Sequence, residues 1–329
     1  MPPKKQQSVK TFDYSGLEKG MRLQVESDGK YYAGEVVTVS KSAGRSKAPV
    51  KVSYVGYTGY DEWVGGDRLR SKALQVSTAE AGGFRHNIKA YYTMPQVPNP
   101  LLVDIFAREK GVDLVALEKT VDLPSLENRK GDSQAKNPAG QVPYLELRDG
   151  TIIAESIAIC EYLEEAKPSP PLIGTTPKQR AVARMWQRRM EEHFVYPCFN
   201  GFRFATAHPD YPEKSGGLAA FKDFFKERAT PENGCALVPE AYKGLREWSV
   251  NKLKWLEALK KDSKDDFVCG KRLTVVDIQM YTTIKFMGAA GEPCLEEMKK
   301  LAWLSAWYDR MDARPHVKAA IEHSKGLLW

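Results

Sequence analysis

The chain reads as a multi-domain protein: a small all-β barrel, then an α/β domain, then an all-helical domain. Three observations carry this reading. Short stretches with period-two alternation occupy residues 11–70, Val50-Lys-Val-Ser-Tyr54 being the clearest. From Ile88 the order runs strand, helix, strand, turn-rich loop, strand, strand, helix. Beyond residue 168 helical spacing of apolar residues takes over. At 329 residues the chain also exceeds what one hydrophobic core organises.

The front part predicts strands at 21–25, 32–39, 50–54 and 61–64, with a mobile Ser/Gly/Lys/Ala-rich loop at 40–49. So many short strands in so little sequence point to a small barrel. Residues 1–10 read as a basic tail, and 71–87 as a flexible linker lacking periodicity and carrying Gly82-Gly83. Residues 1–86 hold 14 Lys and Arg against 9 Asp and Glu, so most of the net +7 sits in the first quarter. That imbalance favours an acidic or polyanionic partner for the front end.

The α/β part, 88–167, begins with a strand at 88–92 and a helix at 100–110 whose face carries Leu101, Leu102, Val103, Ile105 and Phe106. Gly111 ends it, and a strand follows at 112–118. The most informative stretch comes next. Asn137-Pro-Ala-Gly-Gln-Val-Pro-Tyr144 enters a strand through a Val-Pro bond, Asp149-Gly150 turns a hairpin, and Glu155-Ser156 starts a helix. A proline opening a strand cannot donate to the ladder, and X-Pro is where the cis form is cheap. A backbone edge is thus held free beside a helix N-terminus that attracts carboxylates. The all-helical part, 168–329, shows helices at 179–194, 242–259, 274–287 and 301–311. Leu273-Thr-Val-Val-Asp277 is a Thr-x-x-Asp capping box, a folding determinant.

Composition excludes some classes. The 42% hydrophobic and 28% charged content is ordinary for a globular protein, and no apolar run approaches the ~18 residues of a membrane span. The first dozen residues lack the apolar core of a signal peptide. Five scattered cysteines with no Cys-x-x-Cys pair predict neither a metal site nor a disulfide frame, and favour a reducing compartment. A cytoplasmic location is expected, with a nuclear one open.

Two resemblances add to this. Val142-Pro143 with Glu155-Ser156, in that order of elements, resembles the cytosolic glutathione transferase superfamily over residues 88–325, with a thioredoxin-like glutathione-binding half at 88–167. The resemblance implies a glutathione site made of Gln141, Val142, Pro143, Glu155 and Ser156. There Ser156 receives the γ-glutamyl carboxylate, Glu155 balances the ligand amine, and Val142 pairs main chain to main chain with the cysteinyl unit. Where theta- and zeta-like transferases place a thiol-activating serine, this chain has Val97. Val97-Pro98-Asn99-Pro100 is more similar to the Nu class, which implies a thiol contact from Asn99 and an activity leaning toward disulfide or peroxide reduction. Asn99 also reads as the helix N-cap ahead of Pro100. Aromatic Trp186, Tyr196, Phe199 and Phe202 are candidates for an acceptor pocket, and homodimerisation is implied by the family.

The second resemblance is carried by Tyr32-Ala-Gly-Glu-Val-Val and Tyr54-Val-Gly-Tyr-Thr-Gly-Tyr-Asp-Glu-Trp-Val64, which is similar to a Tudor-knot or chromo-barrel domain over residues 11–70. It implies an aromatic cage of Tyr32, Tyr54, Tyr57 and Tyr60 for a methyl-lysine peptide through cation–π attraction, with Trp63 in the barrel core. Protein docking, or RNA contact through Lys41, Arg45, Lys47 and Lys51, is the alternative use. Two functions follow: a glutathione transferase or reductase with a docking module, or a catalytically weak transferase-fold adaptor in a protein or ribonucleoprotein assembly.

Overall fold

The computed structural model describes residues 10–14, 16–40, 42–45, 47–57, 59–78, 87–208, 224, 236 and 238–326. The 1–9 part of the basic tail, Lys41, residues 79–86 of the linker and Cys235 lie outside these. The chain divides into two compact units, Met1–Gly83 and Phe84–Trp329.

In the first unit β1 (Lys10–Asp13) pairs with β7 (Gln75–Thr78). A separate antiparallel sheet contains β2 (Arg22–Ser27), β3 (Lys30–Val39), β4 (Val50–Tyr54), β5 (Asp61–Val64) and β6 (Leu69–Arg70) in the order β5-β4-β3-β2-β6. Alternation puts Leu23, Val25, Val36, Val50, Val52, Val64 and Leu69 inward, where Leu17 and Leu74 complete a small core. Arg68 ties its open end, donating to the Glu62 carboxylate and to the Glu26 carbonyl. Gly66 is required by close approach, because a Cβ there would lie 2.1 Å from the Phe12 ring.

Three expectations need correction. The sheet is open, not a closed barrel: among the described residues no pairing joins the edges β5 and β6, and β6 is only two residues long. Residues 75–78 of the expected linker form β7, held by β1 some sixty residues earlier, a pairing that local composition does not encode. Trp63 is half-buried outside the core, because strand alternation points its neighbour Val64 inward; Trp63 lies opposite Lys51 and under the Arg45 guanidinium at 4.1 Å.

The second unit opens with β8 (Ile88–Thr93), α1 (Pro98–Glu109) and β9 (Glu118–Thr120). A short α2 (Gly131–Lys136) precedes the hairpin β10 (Tyr144–Leu147) and β11 (Ile152–Ala154), then α3 (Ser156–Ala166). The sheet order is β11-β10-β8-β9, with β8 and β9 parallel and the other pairs antiparallel. The strand expected at 112–118 is instead a 3-10 turn at Val115–Leu117 leading into β9, whose exposed Lys119 and Thr120 carry no alternation signal.

The helical half comprises α4 (Pro177–Met190), α5 (Tyr196–Ala207), α6 (Tyr242–Lys260), α7 (Val275–Ala289), α8 (Cys294–Lys299), α9 (Ala302–Asp312) and α10 (Pro315–His323). The single helix expected over 179–194 continues through a π turn at Glu191–Val195 into α5. Pro197 has no N–H for the carbonyl four residues back, so the ladder must shift there.

One continuous core, from Ile88 through Phe106, Ile159 and Val276 to Ala320, joins the α/β and helical halves. Two ion pairs reinforce that junction. Buried Lys110 meets Glu164 at 2.8 Å, and Glu164 also accepts from the amides of Leu172, Ile173 and Gly174. Arg314, the residue before α10, grips Glu109 through two bonds of 2.7 and 2.8 Å. The first ties α3 to the end of α1 and the second fixes α1; the starts of these two helices frame the site.

Candidate active site

Three segments of the second unit meet on one small apolar cluster. Val97, the residue before α1, Val142, two residues before β10, and Ala154, at the end of β11, all pack with Val121, Leu123 and Tyr144. The cluster thereby holds together the start of α1, the Val142-Pro143 bond and the Glu155-Ser156 helix start, which the sequence separates by up to 59 residues.

The Val142–Pro143 bond is cis. Its approach loop is fixed by two carboxamides, Asn128 donating to the Gly140 carbonyl at 2.6 Å and Asn137 to the Gln141 carbonyl at 2.7 Å. Gly140 has φ 57°, and a Cβ there would press on the Arg129 guanidinium at 2.6 Å, so glycine is needed. Ladder pairing begins only at Tyr144, opposite Tyr92 and Ala154. The main-chain N–H and C=O of Val142 therefore have no partner among the described residues, although its side chain is buried. A buried strand end with unpaired backbone groups is poised to accept an extended ligand.

One hairpin later the chain enters α3. Thr151 N–H bonds the Asp149 carboxylate at 2.9 Å, closing the turn. Glu155 then takes φ 69°, a left-handed backbone value unusual for a non-glycine residue. It is exposed, and no side chain caps α3. The hydroxyl of half-buried Ser156 has no partner among the described residues and no side chain caps the first turn, which leaves donors of the kind that bind an anion.

Asn99 departs from one expectation. The helix begins at Pro98 with Val97 as the flanking residue, so Asn99 is the second helical residue and not the N-cap. Pro98 and Pro100 both suit a first turn, where the missing N–H costs nothing. The Asn99 side chain is exposed and has no partner among the described residues, at the helix end that Val97 anchors to the cluster.

Tyr92 is occupied elsewhere. Its hydroxyl donates to Glu146 at 2.9 Å and accepts from Lys136 at 2.6 Å, while its ring stacks on Tyr144 at 4.5 Å. Glu146 is buried, and Lys89 and Lys136 hold its carboxyl down to about 2. This network braces β8 against β10. Of the acceptor-pocket candidates, Phe202 belongs to the core, edge-on to Phe286; Phe199 packs on that core, Trp186 leans on Trp255, and Tyr196 is half exposed. Sequence reasoning missed Met94, Val121, Leu123 and Phe224 as members of the site cluster. Their apolar character is visible in the sequence, but nothing local marks them as neighbours of Val142.

In the first unit, Tyr32 and Tyr54 meet edge to face at 6.3 Å, with the Tyr54 hydroxyl donating to Glu62. Tyr57 and Tyr60 are 56% and 70% exposed and touch no other ring among the described residues. The structure brings together two of the four cage candidates. Of the expected basic face, Arg45 covers Trp63 and Lys51 pairs with Asp61 at 3.1 Å.

Comparison with known proteins agrees with this geometry. Residues 98–166 match the glutathione S-transferase N-terminal domain model, and residues 242–324 match the C-terminal domain model. A glutathione S-transferase domain-containing protein from Marinobacter aquaeolei VT8 is 31% identical in sequence, with TM-score 0.59, covering 69% of this chain and 99% of that one. Glutathione S-transferase 2 of Saccharomyces cerevisiae is 29% identical over 231 residues, 70% of this chain and 88% of the yeast protein. Protein LigF of Sphingobium is 29% identical over 206 residues, 57% of this chain and 76% of its own. The chain belongs to the glutathione S-transferase superfamily. It is accordingly a glutathione-dependent enzyme with a thioredoxin-like half and an all-helical half. Among the described residues no helix is long and apolar enough to cross a membrane.

Proposed function

We propose that the chain binds glutathione where Val142 and the start of α3 converge, and either conjugates it to an electrophile or uses it to reduce a disulfide or peroxide. The observation that carries this reading is the pairing of two unsatisfied features on one apolar cluster: the free Val142 main chain and the uncapped N-terminus at Ser156. The peptide-like centre of glutathione suits the first, through a one-residue strand addition. Its γ-glutamyl carboxylate suits the second, with the Ser156 amide and hydroxyl donating. Gln141 and Pro143 shape the edge, and the Glu155 carboxylate answers the ligand's ammonium.

The thiol is the third handle. A thiolate is the nucleophile, so a donor that stabilises it raises the rate. Val97 has nothing to donate, and in this reading the exposed carboxamide of Asn99 does so. A second reading, the weakly catalytic adaptor, is favoured by Val97 and by the appended first unit. In either reading a homodimer and a cytoplasmic location are expected, and the first unit docks a partner: a methyl-lysine peptide at Tyr32 and Tyr54, a protein surface, or RNA.

Glutathione titrated by calorimetry, with the melting temperature followed in parallel, tests the binding step. Ligand at 100 times its Kd should stabilise the fold by about 2.7 kcal/mol. No heat and no shift at millimolar glutathione would sink the proposal. Binding without turnover of a model electrophile, a disulfide or a peroxide would leave the adaptor reading.

A further inference from the structure

The helical half carries a second feature, apart from the glutathione site. Helical spacing lines up Trp186, Arg189 and His193 along α4 and its π turn, and Trp248, Lys252, Trp255 and Leu259 along α6. The two rows meet ring to ring, Trp186 lying 5.9 Å from Trp255 and His193 6.0 Å from Trp248. The Arg189 guanidinium stands 5.4 Å from the Trp186 ring, and the Lys252 ammonium 3.4 Å from the Trp255 ring. Such a seam would normally be covered, yet Trp248 is 49% exposed and Leu259 52%, with Trp255 and Met185 exposed beside them. A contiguous apolar patch of this kind marks a contact surface.

Its charge is unbalanced at the centre. Arg189 and Lys252 rest on indole rings and form no ion pair among the described residues. They stand close enough that burial, with the Arg189 charge, pushes the Lys252 ammonium below its ordinary range. The neighbouring charges do not neutralise them. Arg188 is already paired with Glu192 at 3.3 Å, and exposed Glu247 and Lys254 on α6 offset each other in sign. Two adjacent cations among exposed indoles therefore await an anionic, partly apolar cover.

We infer that this seam docks the protein on an anionic lipid surface, with Trp248, Trp255 and Leu259 at headgroup depth and Arg189 and Lys252 on the lipid phosphates and carboxylates. Indole beside Lys and Arg is the composition that settles at a bilayer–water boundary. Anionic lipid supplies the counter-charge that the seam lacks. Two other occupants fit less well. A second copy meeting this face across a two-fold axis would set the same patch against itself, bringing Arg189 and Lys252 toward their own copies. An acidic helix of a partner protein needs a groove for its ridge, and here the paired rings of Trp186 with Trp255 and His193 with Trp248 fill the space between the helices. A headgroup layer needs no matching groove.

The test uses the full chain with vesicles of phosphatidylcholine containing about 30% phosphatidylserine, and of phosphatidylcholine alone, read by co-sedimentation and tryptophan emission. Binding to the anionic vesicles is expected at ~0.05 M salt, with a blue shift of the emission, and should weaken about tenfold at ~0.5 M salt. Arg189→Gln combined with Lys252→Gln should cost about thirtyfold and remove the preference for anionic lipid. Trp248→Ala combined with Leu259→Gln should cost about tenfold with the salt dependence kept. These positions lie outside the glutathione site, so glutathione affinity and melting temperature are folding controls and should not move. The oligomeric state in sedimentation should also be the same in both variants as in the parent. No binding to anionic vesicles at low salt, or equal binding by every variant, overturns the inference. So does a dimer that either variant splits into monomers, which would assign the seam to a second copy. Polyglutamate bound as tightly as the vesicles at equal charge would overturn it too, in favour of an acidic protein.

Discussion

Two helix starts in the second unit use similar residues to opposite ends. At α7, Thr274 donates its amide and hydroxyl to Asp277 at 2.9 and 2.8 Å, and Asp277 also accepts from the Val268 amide and the Trp307 indole. Asp277 is fully buried, and burial pushes its carboxyl up despite four donors. At α3, Glu155 is exposed with a positive φ, Ser156 has an unpartnered hydroxyl, and nothing caps the first turn. A capping group turned inward and satisfied by the protein holds the fold together. One left unsatisfied on a surface, at the cost of backbone strain, is available to a ligand.

Mutation should separate the two. The largest effect is expected at the satisfied start: Asp277→Ala strands four buried donors and should cost more than about 4 kcal/mol, read as a large fall in Tm or as loss of soluble protein. Next comes the rate. Asn99→Ala should lower kcat by about 10², with glutathione Kd little changed, if its carboxamide faces the thiolate. An unaltered kcat would remove Asn99 from the mechanism. At the unsatisfied start, Ser156→Ala should shift unfolding free energy by no more than about 0.5 kcal/mol. Its glutathione Kd should rise about tenfold, the worth of one charge-assisted hydrogen bond. A matching loss of stability would make Ser156 a structural cap and erase the contrast.

The smallest effect is a pH dependence in the brace beneath the site. Lys89 and Lys136 hold the Glu146 carboxyl at about 2, below its ordinary 4.5. Its contribution is therefore complete above pH 4.5 and is lost as pH falls toward 2. Glu146→Gln should flatten the acid limb of a stability-against-pH curve in that window, and an identical limb would show that the brace carries no linkage.

Much of the second unit was legible locally. Val142-Pro143, Asp149-Gly150, Glu155-Ser156 and Thr274-Asp277 each act within a few residues, so their chemistry is written in order along the chain. The helix 242–259 needed only its apolar spacing, and is observed at Tyr242–Lys260. The misses share a different cause. Open edges of the front sheet, the β1–β7 pairing and the outward Trp63 depend on which strands meet. The π turn after α4 is the exception, since Pro197, which shifts the ladder there, is itself a local signal.

What the sequence determined by itself is thus the local grammar: a strand opened by proline, a helix begun at a Glu-Ser pair, a second helix begun with a capping box, and a basic front end. Tertiary structure decided the rest. Only folding could bring Val97, Val142 and Ala154 onto one apolar cluster. Only folding could tie Tyr92 to Lys136 and Glu146, or set Trp186 against Trp255. The physical reason is range. Backbone preferences and capping bonds act over three or four residues, whereas burial and charge pairing act between whichever residues packing makes neighbours.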